Sequence, residues 1–226
     1  MPGCLVIAAH PDDEVLGCGG TIARYADAGV PVQVAFLADG VGARGDSTPD
    51  REALQARRAA AHKACTLLGA AVPVFDDFPD NRMDTVPRLE ITRRVEALIA
   101  AHAPTTVLTH HAGDVNIDHR RVHEAVVTAC RPQPGHPVQT LLFFEVASST
   151  EWQPPGSAPA FQPNWFVDIT ATLERKREAL AAYKEEMRAW PHARSIEAVT
   201  HLARQRGASI GREAAEAFML GREIRS

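Results

Sequence analysis

The sequence contains few cysteines and no long apolar run, and each shortage excludes a class of protein. Its four cysteines, Cys4, Cys18, Cys65 and Cys130, lie far apart and form no C-x-x-C pair. This pattern is typical of reduced, buried thiols rather than of a disulfide framework. No stretch approaches the roughly 20 apolar residues of a membrane span, and the apolar residues 4–9 are too few for a signal peptide. We therefore expect a cytoplasmic protein without a membrane span.

The sequence also lacks an excess of basic residues. It has 24 Lys and Arg residues against 28 Asp and Glu residues, a formal net charge of −4 at pH 7. Such a chain has no broad positive surface to hold a phosphate backbone, so we expect no nucleic-acid partner. The 226 residues, 45% of them hydrophobic, are enough for one domain with a full core. Ten histidines are present, and several of them fall in two short polar motifs.

Short apolar runs alternate with segments of helical periodicity along the chain. The predicted strands are residues 4–9, 32–38, 72–75, 105–110 and 140–146. The predicted helices are residues 51–68, residues 88–102 and a segment that follows Asp118 and ends before Pro132. Almost continuously apolar strands that alternate with helices predict a mostly parallel sheet covered on both faces. The predicted fold is α/β, a single Rossmann-like three-layer domain.

The predicted domain spans residues 1–226, without a linker or an internal repeat. The proline-rich residues 151–165 are expected to form a long loop, and residues 170–226 two or three C-terminal helices. In such a fold, ligands bind beyond the carboxyl ends of the strands. Three of these ends carry polar residues: His10–Glu14, Asp39 and the stretch THHAGDVNIDHRRVH. Their convergence predicts a functional site at this edge of the sheet.

The motif HPDDE, at residues 10–14, places a histidine beside three consecutive acids at the end of the first strand. Imidazole and carboxylate are ligands of zinc, and a catalytic zinc takes three protein ligands and keeps one position open. His10 and one aspartate can supply two of these ligands, and a bound cation would remove the repulsion among the acids. A second aspartate can then accept a proton from the metal-bound water.

The motif NIDHRRVH, at residues 116–123, offers the third ligand from another strand end. His119 and His123 are both candidates, because two histidines four residues apart share one face of a helix. Asp118 fits the N-cap of that helix. Taken alone, each motif is equally consistent with a polar turn before a helix, whose dipole favours acids in the first turn. Two such motifs at neighbouring strand ends favour a metal site.

The glycines of GCGG, at residues 17–20, raise a dinucleotide-binding alternative. G-x-G after a first strand, with Asp39 about twenty residues later, matches part of the dinucleotide fingerprint. However, Ile22 stands where the third glycine is expected, and the acids of HPDDE would repel a pyrophosphate. An NAD-dependent oxidoreductase is therefore disfavoured.

The stretches AAHPDDEVLGCGGTIA and LTHHAGDVNIDHRRVHEA together closely resemble the PIG-L/LmbE-like family of zinc-dependent N-deacetylases. The resemblance covers most of the chain and includes ARRAAAHKACTLLGA and FPDNRMD. It implies an LmbE-like fold, one Zn²⁺ per chain, and hydrolysis of the acetyl group from an N-acetylglucosamine-type amino sugar or its conjugate. The implied partner is this small-molecule substrate, and a homo-oligomer is compatible with the resemblance. The alternative is a non-catalytic sugar-binding protein of the same fold.

The family's metal and base positions match residues of this sequence. The resemblance implies that His10, Asp13 and His119 bind zinc and that Asp12 is the general base. It also implies that Asp118 orients a catalytic histidine. All these ligands and the base are intact, which favours the enzyme over the non-catalytic alternative.

The sequence departs from the family at the catalytic histidine itself. That histidine usually lies three residues before the third ligand, where this chain has Asn116. Asn116, His110 and His111 are the alternatives for the group that stabilises the oxyanion. We assign Asn116 and His111 to catalysis and His110 to substrate binding. The resemblance further implies that Arg57 and Asp80 contact the sugar hydroxyls.

Overall fold

A seven-stranded sheet with helices on both faces organises the chain in the computed structural model, which describes residues 3–42 and 51–225. The strands β1 to β7 are Cys4–Ala8, Val32–Ala38, Val74–Phe78, Thr106–His110, Thr140–Phe144, Trp165–Asp168 and Ala215–Glu223. The helices α1 to α6 are Asp13–Asp27, Arg51–Leu68, Arg88–His102, Ile117–Ala129, Leu173–Ala182 and Ile196–Ala208. The strand order in the sheet is β3-β2-β1-β4-β5-β7-β6.

The five strands from β1 to β5 are parallel. Beyond β5, β7 is antiparallel to both of its neighbours, β5 and the edge strand β6. β1 lies in the interior of the sheet, between β2 and β4. The chain therefore leaves β1 for one half of the sheet and reaches β4 in the other half, which opens a crevice at the carboxyl ends of these two strands. The predicted α/β fold with a mostly parallel sheet is confirmed.

Two apolar cores, one on each face of the sheet, make the domain three-layered. Strand β1 contributes to both because alternate side chains point to opposite faces. Val6 joins the core formed with α1, α2, α5 and α6, whereas Leu5 and Ile7 join the core formed with α3 and α4. All three side chains are fully buried. Each such burial contributes about 1.5–3 kcal/mol relative to exposure, which fixes the register of β1 and the position of the turn that follows it.

Helix α1 begins within the HPDDE motif and contains the GCGG glycines. A Cβ at Gly17 would meet the ring of Phe144, and a Cβ at Gly20 would lie 2.7 Å from Ile169. The glycines thus let the helix approach the sheet closely. Their packing role, together with buried acids at the helix start, leaves no room for a pyrophosphate and argues against the dinucleotide alternative.

A buried ion pair holds α1 where it kinks. The backbone leaves helical geometry at Cys18 (φ −148°, ψ 23°), so the next turn has free N–H groups. Gly20 N and Thr21 N donate to the carboxylate of Glu216 at 2.9 and 2.7 Å. Lys176 Nζ balances that carboxylate at 2.6 Å. Strand β7 and helix α5 therefore jointly fix the helix that carries the acidic motif.

The prediction that residues 170–226 form only helices is wrong in part. Helices α5 and α6 are present, but Ala215–Glu223 forms β7, inserted between β5 and β6. The buried Glu216 breaks the apolar pattern that would have indicated a strand, and its charge is matched by a residue distant in sequence. Strand β6 has only four residues and begins at Trp165, so the predicted loop of residues 151–165 ends one residue earlier.

The four thiols are buried and unpaired with one another, as the sequence predicts. Burial raises the pKa of each thiol, that of Cys130 to about 12. They therefore stay protonated and pack as small apolar groups. Among the described residues, no helix combines the length and the apolar character required to cross a membrane.

Candidate metal centre and catalytic cleft

Three predicted metal ligands meet at the carboxyl ends of β1 and β4. The ligand atoms of His10, Asp13 and His119 all lie within 4.8 Å of one another, and all three residues are buried. Asp13 Oδ2 lies 3.3 Å from His10 Nδ1 and 3.2 Å from His119 Nε2. The structure thus brings together a carboxylate from the start of α1, an imidazole from the turn after β1 and an imidazole from the first turn of α4.

The residues of this cluster fit a divalent cation. Asp13 Oδ1 and His119 Nε2 are buried and have no hydrogen-bond partner within the described chain. Buried polar atoms without partners are rare, and each requires an explanation. Two imidazole nitrogens and one carboxylate oxygen match the three-ligand set of a catalytic zinc site. A cation among these atoms would satisfy both groups.

The electrostatics of the cluster also favour positive charge. Burial raises the pKa of the Asp13 carboxyl, but His119 and His10 lower it more, so the pKa lies well below its usual range. Burial lowers the pKa of His119, but Asp13 and Asp114 raise it more, to about 9. Metal ions compete with protons for such ligands, because coordination requires the deprotonated forms. The surrounding charges therefore favour positive charge at these nitrogens, whether a proton or a metal ion carries it.

Asp118 and Asp80 contact the opposite nitrogen of His10. His10 Nε2 lies 3.0 Å from Asp118 Oδ2 and 3.1 Å from Asp80 Oδ1. The carboxylate of Asp118 already accepts from Asn81 N at 2.6 Å and from Met83 N at 3.0 Å. Both oxygens of Asp118 therefore act as hydrogen-bond acceptors, and an N–H at Nε2 of His10 is the donor that this carboxylate requires. Carboxylates in this position orient a ligating imidazole and raise its basicity.

This geometry differs from the role that the resemblance implied for Asp118. The expected partner was a catalytic histidine in the cleft, but the carboxylate instead faces His10, a predicted metal ligand. Its assignment to catalysis stays a prediction. His10, Asp80 and Asp118 form a second group of side chains that could hold a metal. The backbone hydrogen bonds to Asp118 favour the orienting role.

Asp114 orients the other histidine of the cluster and was not singled out from the sequence. Asp114 Oδ2 lies 3.1 Å from His119 Nδ1 and accepts from Thr150 Oγ1 at 2.8 Å. Asp114 Oδ1 accepts from Ser149 Oγ and, at 2.8 Å, from Asn116 N. The residue is fully buried. In the sequence, Asp114 is only an acid five residues before a predicted ligand. Its hydroxyl partners lie more than thirty residues away, so local spacing does not reveal its role.

Asp12, the predicted general base, lies beside the cluster at the bottom of a cleft. The cleft encloses about 140 Å³ and is lined by His10, Asp12, Gly40, Arg57, Asp80, Asn81, Asn116, Glu186 and Arg194. A larger groove between the C-terminal ends of α3 and α4 contains none of these residues. The backbone of Asp12 has φ 129°, a conformation that L-residues rarely adopt and that is typical of functional sites.

The two predicted sugar contacts, Arg57 and Asp80, both line this cleft. Arg57 is 7% exposed, pairs with Glu186 and has Nη2 3.9 Å from Asp12 Oδ2. Glu186 was not predicted because it lies in the turns after α5, within the residues 170–226 that were expected to form helices. Arg194, which donates to Asp12 from the same turns, was also missed. Substrate contact by Arg57 and Asp80 stays a prediction.

The three candidates for the oxyanion-stabilising group occupy different positions. Asn116 lines the cleft, where its Oδ1 caps α4 by accepting from Asp118 N and its Nδ2 donates to Asn81 Oδ1 at 3.2 Å. His111 Nε2 instead lies 2.9 Å from Pro159 O. It thus attaches the proline-rich segment to the domain.

His110 lies beneath the metal cluster rather than in the cleft. Its side chain has no exposed surface, its Nε2 accepts from Ala9 N at 2.8 Å, and its ring stacks on that of His119 at 3.9 Å. Burial lowers the pKa of His110, and nearby His119 lowers it further, well below the usual range. This placement gives no support to the substrate contact predicted for His110. His123, the alternative ligand, lies outside the cluster, with Nδ1 2.9 Å from His110 O.

Comparison with known proteins places the chain in a family. A family model described as GlcNAc-PI de-N-acetylase (PIG-L) matches residues 5–130, more than half of the chain and all three cluster residues. The chain belongs to the PIG-L family. The family predicted from the two motifs is thereby confirmed.

Relatives in this family carry two kinds of activity in their names. The chain is 30% identical to a 4-oxalmesaconate hydratase of Pseudomonas putida, over 92% of this chain and 81% of the relative. It is 29% identical to a 1D-myo-inositol 2-acetamido-2-deoxy-alpha-D-glucopyranoside deacetylase of Rhodococcus jostii, over 93% and 94%. A conserved protein of Thermus thermophilus superposes with a TM-score of 0.78 at 27% identity, covering 100% of this chain and 97% of that one.

Proposed function

We propose that the protein is a zinc-dependent hydrolase that removes the N-acetyl group from an N-acetylglucosamine-type amino sugar or its conjugate. The observation that carries the proposal is the convergence of His10, Asp13 and His119, because His10 lines the same cleft as Asp12. A cation and an adjacent carboxylate base are the two elements that amide hydrolysis by water requires. Several relatives are named deacetylases of acetamido sugars, which supports this substrate class.

Each residue has a role in this reaction. Zinc, when bound, polarises the amide carbonyl and lowers the pKa of water toward neutrality. Asp12 accepts a proton from the attacking water through Oδ1, the oxygen that has no hydrogen-bond partner among the described residues. The new C–O bond places negative charge on the carbonyl oxygen. Asp12 then returns the proton to the amide nitrogen as the C–N bond breaks, which gives acetate and a free amine.

The cleft also contains groups suited to the rest of the substrate. Asn116 is the one of the three oxyanion candidates that lines the cleft, so we assign it this role. Arg57 and Asp80 face the same space and present a donor and an acceptor to sugar hydroxyls. The cleft volume of about 140 Å³ is small compared with the 300–1,000 Å³ of pockets for drug-sized ligands. The site would enclose the acetamido group and leave most of the conjugate outside.

Acetate release tests this proposal. Purified zinc-loaded protein is incubated with N-acetylglucosamine, N,N'-diacetylchitobiose and the N-acetylglucosaminyl inositol, and acetate and free amine are quantified. We expect release from at least one substrate, and its loss in Asp12→Asn, which should retain bound zinc. Wild-type activity in Asp12→Asn would refute the base assignment. A protein that binds these sugars but releases no acetate would be the non-catalytic alternative.

A hydratase is the second candidate, because the Pseudomonas putida relative of that name matches 92% of this chain. A cation with an adjacent base can also direct water to an activated carbon–carbon double bond. The two reactions are distinguished by their products. Hydration of oxalmesaconate consumes a conjugated chromophore and releases no acetate. Loss of the ultraviolet absorbance of oxalmesaconate, together with no acetate production from any of the sugars, would therefore favour the hydratase.

A further inference from the structure

Arg194 lines the cleft and reaches it from the turns between α5 and α6. Its Nη1 donates to Asp12 Oδ2 at 2.7 Å, and its Nε donates to Ser148 Oγ at 2.6 Å. The side chain is 20% exposed, whereas that of Asp12 is 1% exposed. Arg194 is thus a cation held between the predicted base and the segment that follows β5.

This contact makes the two oxygens of Asp12 inequivalent. Oδ2 is occupied by a charge-assisted hydrogen bond, of a kind about twice as strong as a neutral one. Oδ1 is buried and has no hydrogen-bond partner within the described residues. Rotation of the carboxylate would break the bond to Arg194. Oδ1 is therefore the oxygen kept free to accept a proton.

The backbone of Asp12 makes such a restraint necessary. Its φ of 129° is a strained conformation that persists only when the surroundings hold it. Two sets of contacts do so: the backbone of Asp12 donates to Glu14 Oε2 and accepts from Val15 N and Leu16 N, and Arg194 holds the side chain. The first fixes the peptide and the second fixes the carboxylate.

Arg57 is the other arginine of the cleft, but it is not equivalent. Its Nη2 lies 3.9 Å from Asp12 Oδ2, which is beyond hydrogen-bond distance, and its Nη1 pairs with Glu186. Arg57 thus contributes charge near Asp12 without fixing the direction of its oxygens. Arg194 alone among the described arginines donates a hydrogen bond to this carboxylate.

We infer that Arg194 is a positioning residue that holds the Asp12 carboxylate so that Oδ1 faces the reacting water. The inference rests on the proposed hydrolysis and extends it to a residue outside the motifs. A misplacement of the base by about 1 Å can reduce turnover on the order of 100-fold. The loss should appear in kcat, because Arg194 acts on the base rather than on substrate binding.

The test compares Arg194→Ala with Arg194→Lys and with a matched control, Arg206→Ala. Arg206 also pairs with a carboxylate, Glu145, through two hydrogen bonds of 2.8 Å, and its side chain is 24% exposed. It lies outside the cleft. kcat and KM for acetate release are measured on the wild-type's best acetamido sugar. Zinc content and thermal stability are measured alongside.

We expect Arg194→Ala to bind zinc fully, keep KM within a few-fold and lose kcat on the order of 100-fold. Millimolar guanidinium chloride should restore part of that kcat, and Arg194→Lys should be intermediate because lysine keeps the charge but not the fork of donors. Arg206→Ala should keep kcat. A crystal structure of Arg194→Ala should show the Asp12 carboxylate rotated.

Several results would overturn the inference. If Arg194→Ala keeps wild-type kcat, or raises KM alone, the residue does not position the base, although the deacetylase proposal would stand. An equal loss in Arg206→Ala would indicate a general effect of ion-pair removal. Should Arg194→Ala fail to fold, Ser148→Ala removes only the Nε contact, and an unchanged kcat there would count against the inference. A wild-type protein inactive on all sugars would overturn both proposals.

Discussion

Replacing Asp114 by asparagine is the perturbation that tests most sharply how the metal site is supported. Asp114 accepts four hydrogen bonds, from Asn116 N, Ser149 Oγ, Thr150 Oγ1 and the Nδ1 of His119. Burial raises its pKa, but His119 lowers it more, to about 2. The carboxylate is therefore ionised, and as an acceptor it fixes the proton of the imidazole at Nδ1. Nε2, which faces Asp13, is then the nitrogen whose lone pair is available to a metal ion.

An asparagine of the same size cannot reproduce this pattern, because one of its two polar atoms is a donor. The backbone N–H of Asn116 cannot rotate, so it would keep the amide oxygen. The amide NH₂ would then face the oxygen of Thr150 and the Nδ1 of His119. An imidazole that accepts at Nδ1 carries its proton at Nε2 and cannot bind a metal there. Loss of such a supporting carboxylate typically weakens metal affinity by about 10–100-fold, or about 1.4–2.7 kcal/mol.

Zinc affinity of Asp114→Asn is measured by competition with a chromophoric chelator at constant pH. The matched control is Thr150→Val, which removes one hydrogen bond to Asp114 and leaves the carboxylate. We expect a 10–100-fold loss for the first variant and a smaller loss for the second. An affinity for Asp114→Asn within twofold of wild type would refute the argument that this carboxylate sets the tautomer of His119.

Two further predictions concern the helix that carries the acidic motif. Glu216→Gln should lower the free energy of unfolding in urea by about 3 kcal/mol or more, because it leaves the buried ammonium of Lys176 without a counter-charge; a loss under 1 kcal/mol would contradict this. Gly17→Ala should lower the free energy of unfolding by about 1–3 kcal/mol, because the added methyl group overpacks against Phe144. Gly135→Ala should lower it less, because an added Cβ there meets open space, although the residue has a positive φ of 81°. Equal losses at the two glycines would show that close approach of the helix is not the cause.

The central sheet and the group of three predicted metal ligands could be predicted because both follow from local sequence patterns. Strand β2 has the predicted bounds, residues 32–38, and helix α3 the predicted bounds, residues 88–102. His10, Asp13 and His119 fall at carboxyl ends of strands that are neighbours in the sheet. In a parallel sheet, the carboxyl ends of neighbouring strands lie together regardless of the conformation of the loops. The motifs alone therefore indicated a shared site.

The rest of the site depends on contacts between residues distant in sequence. Asp12 and Arg194 are 182 positions apart, and no periodicity links them. Asp114 has hydroxyl partners 35 and 36 positions away. Strand β7 was not predicted because Glu216 interrupts its apolar pattern. The burial of this acid depends on its ion pair with Lys176 of α5, which the local sequence does not show. The role of Asp118 was implied by the family resemblance, and His110 was a candidate because it lies at the end of a strand. Neither argument determines which nitrogen of which imidazole a side chain contacts.

The most direct test of the metal centre is anomalous diffraction at the zinc edge from crystals of the zinc-loaded protein. The account predicts one peak per chain, about 2.0–2.2 Å from His10 Nδ1, an Asp13 carboxylate oxygen and His119 Nε2, with Asp118 still bonded to His10 Nε2. A peak on the other side of His10, bound by Asp80 and Asp118, or the absence of any peak, would contradict it.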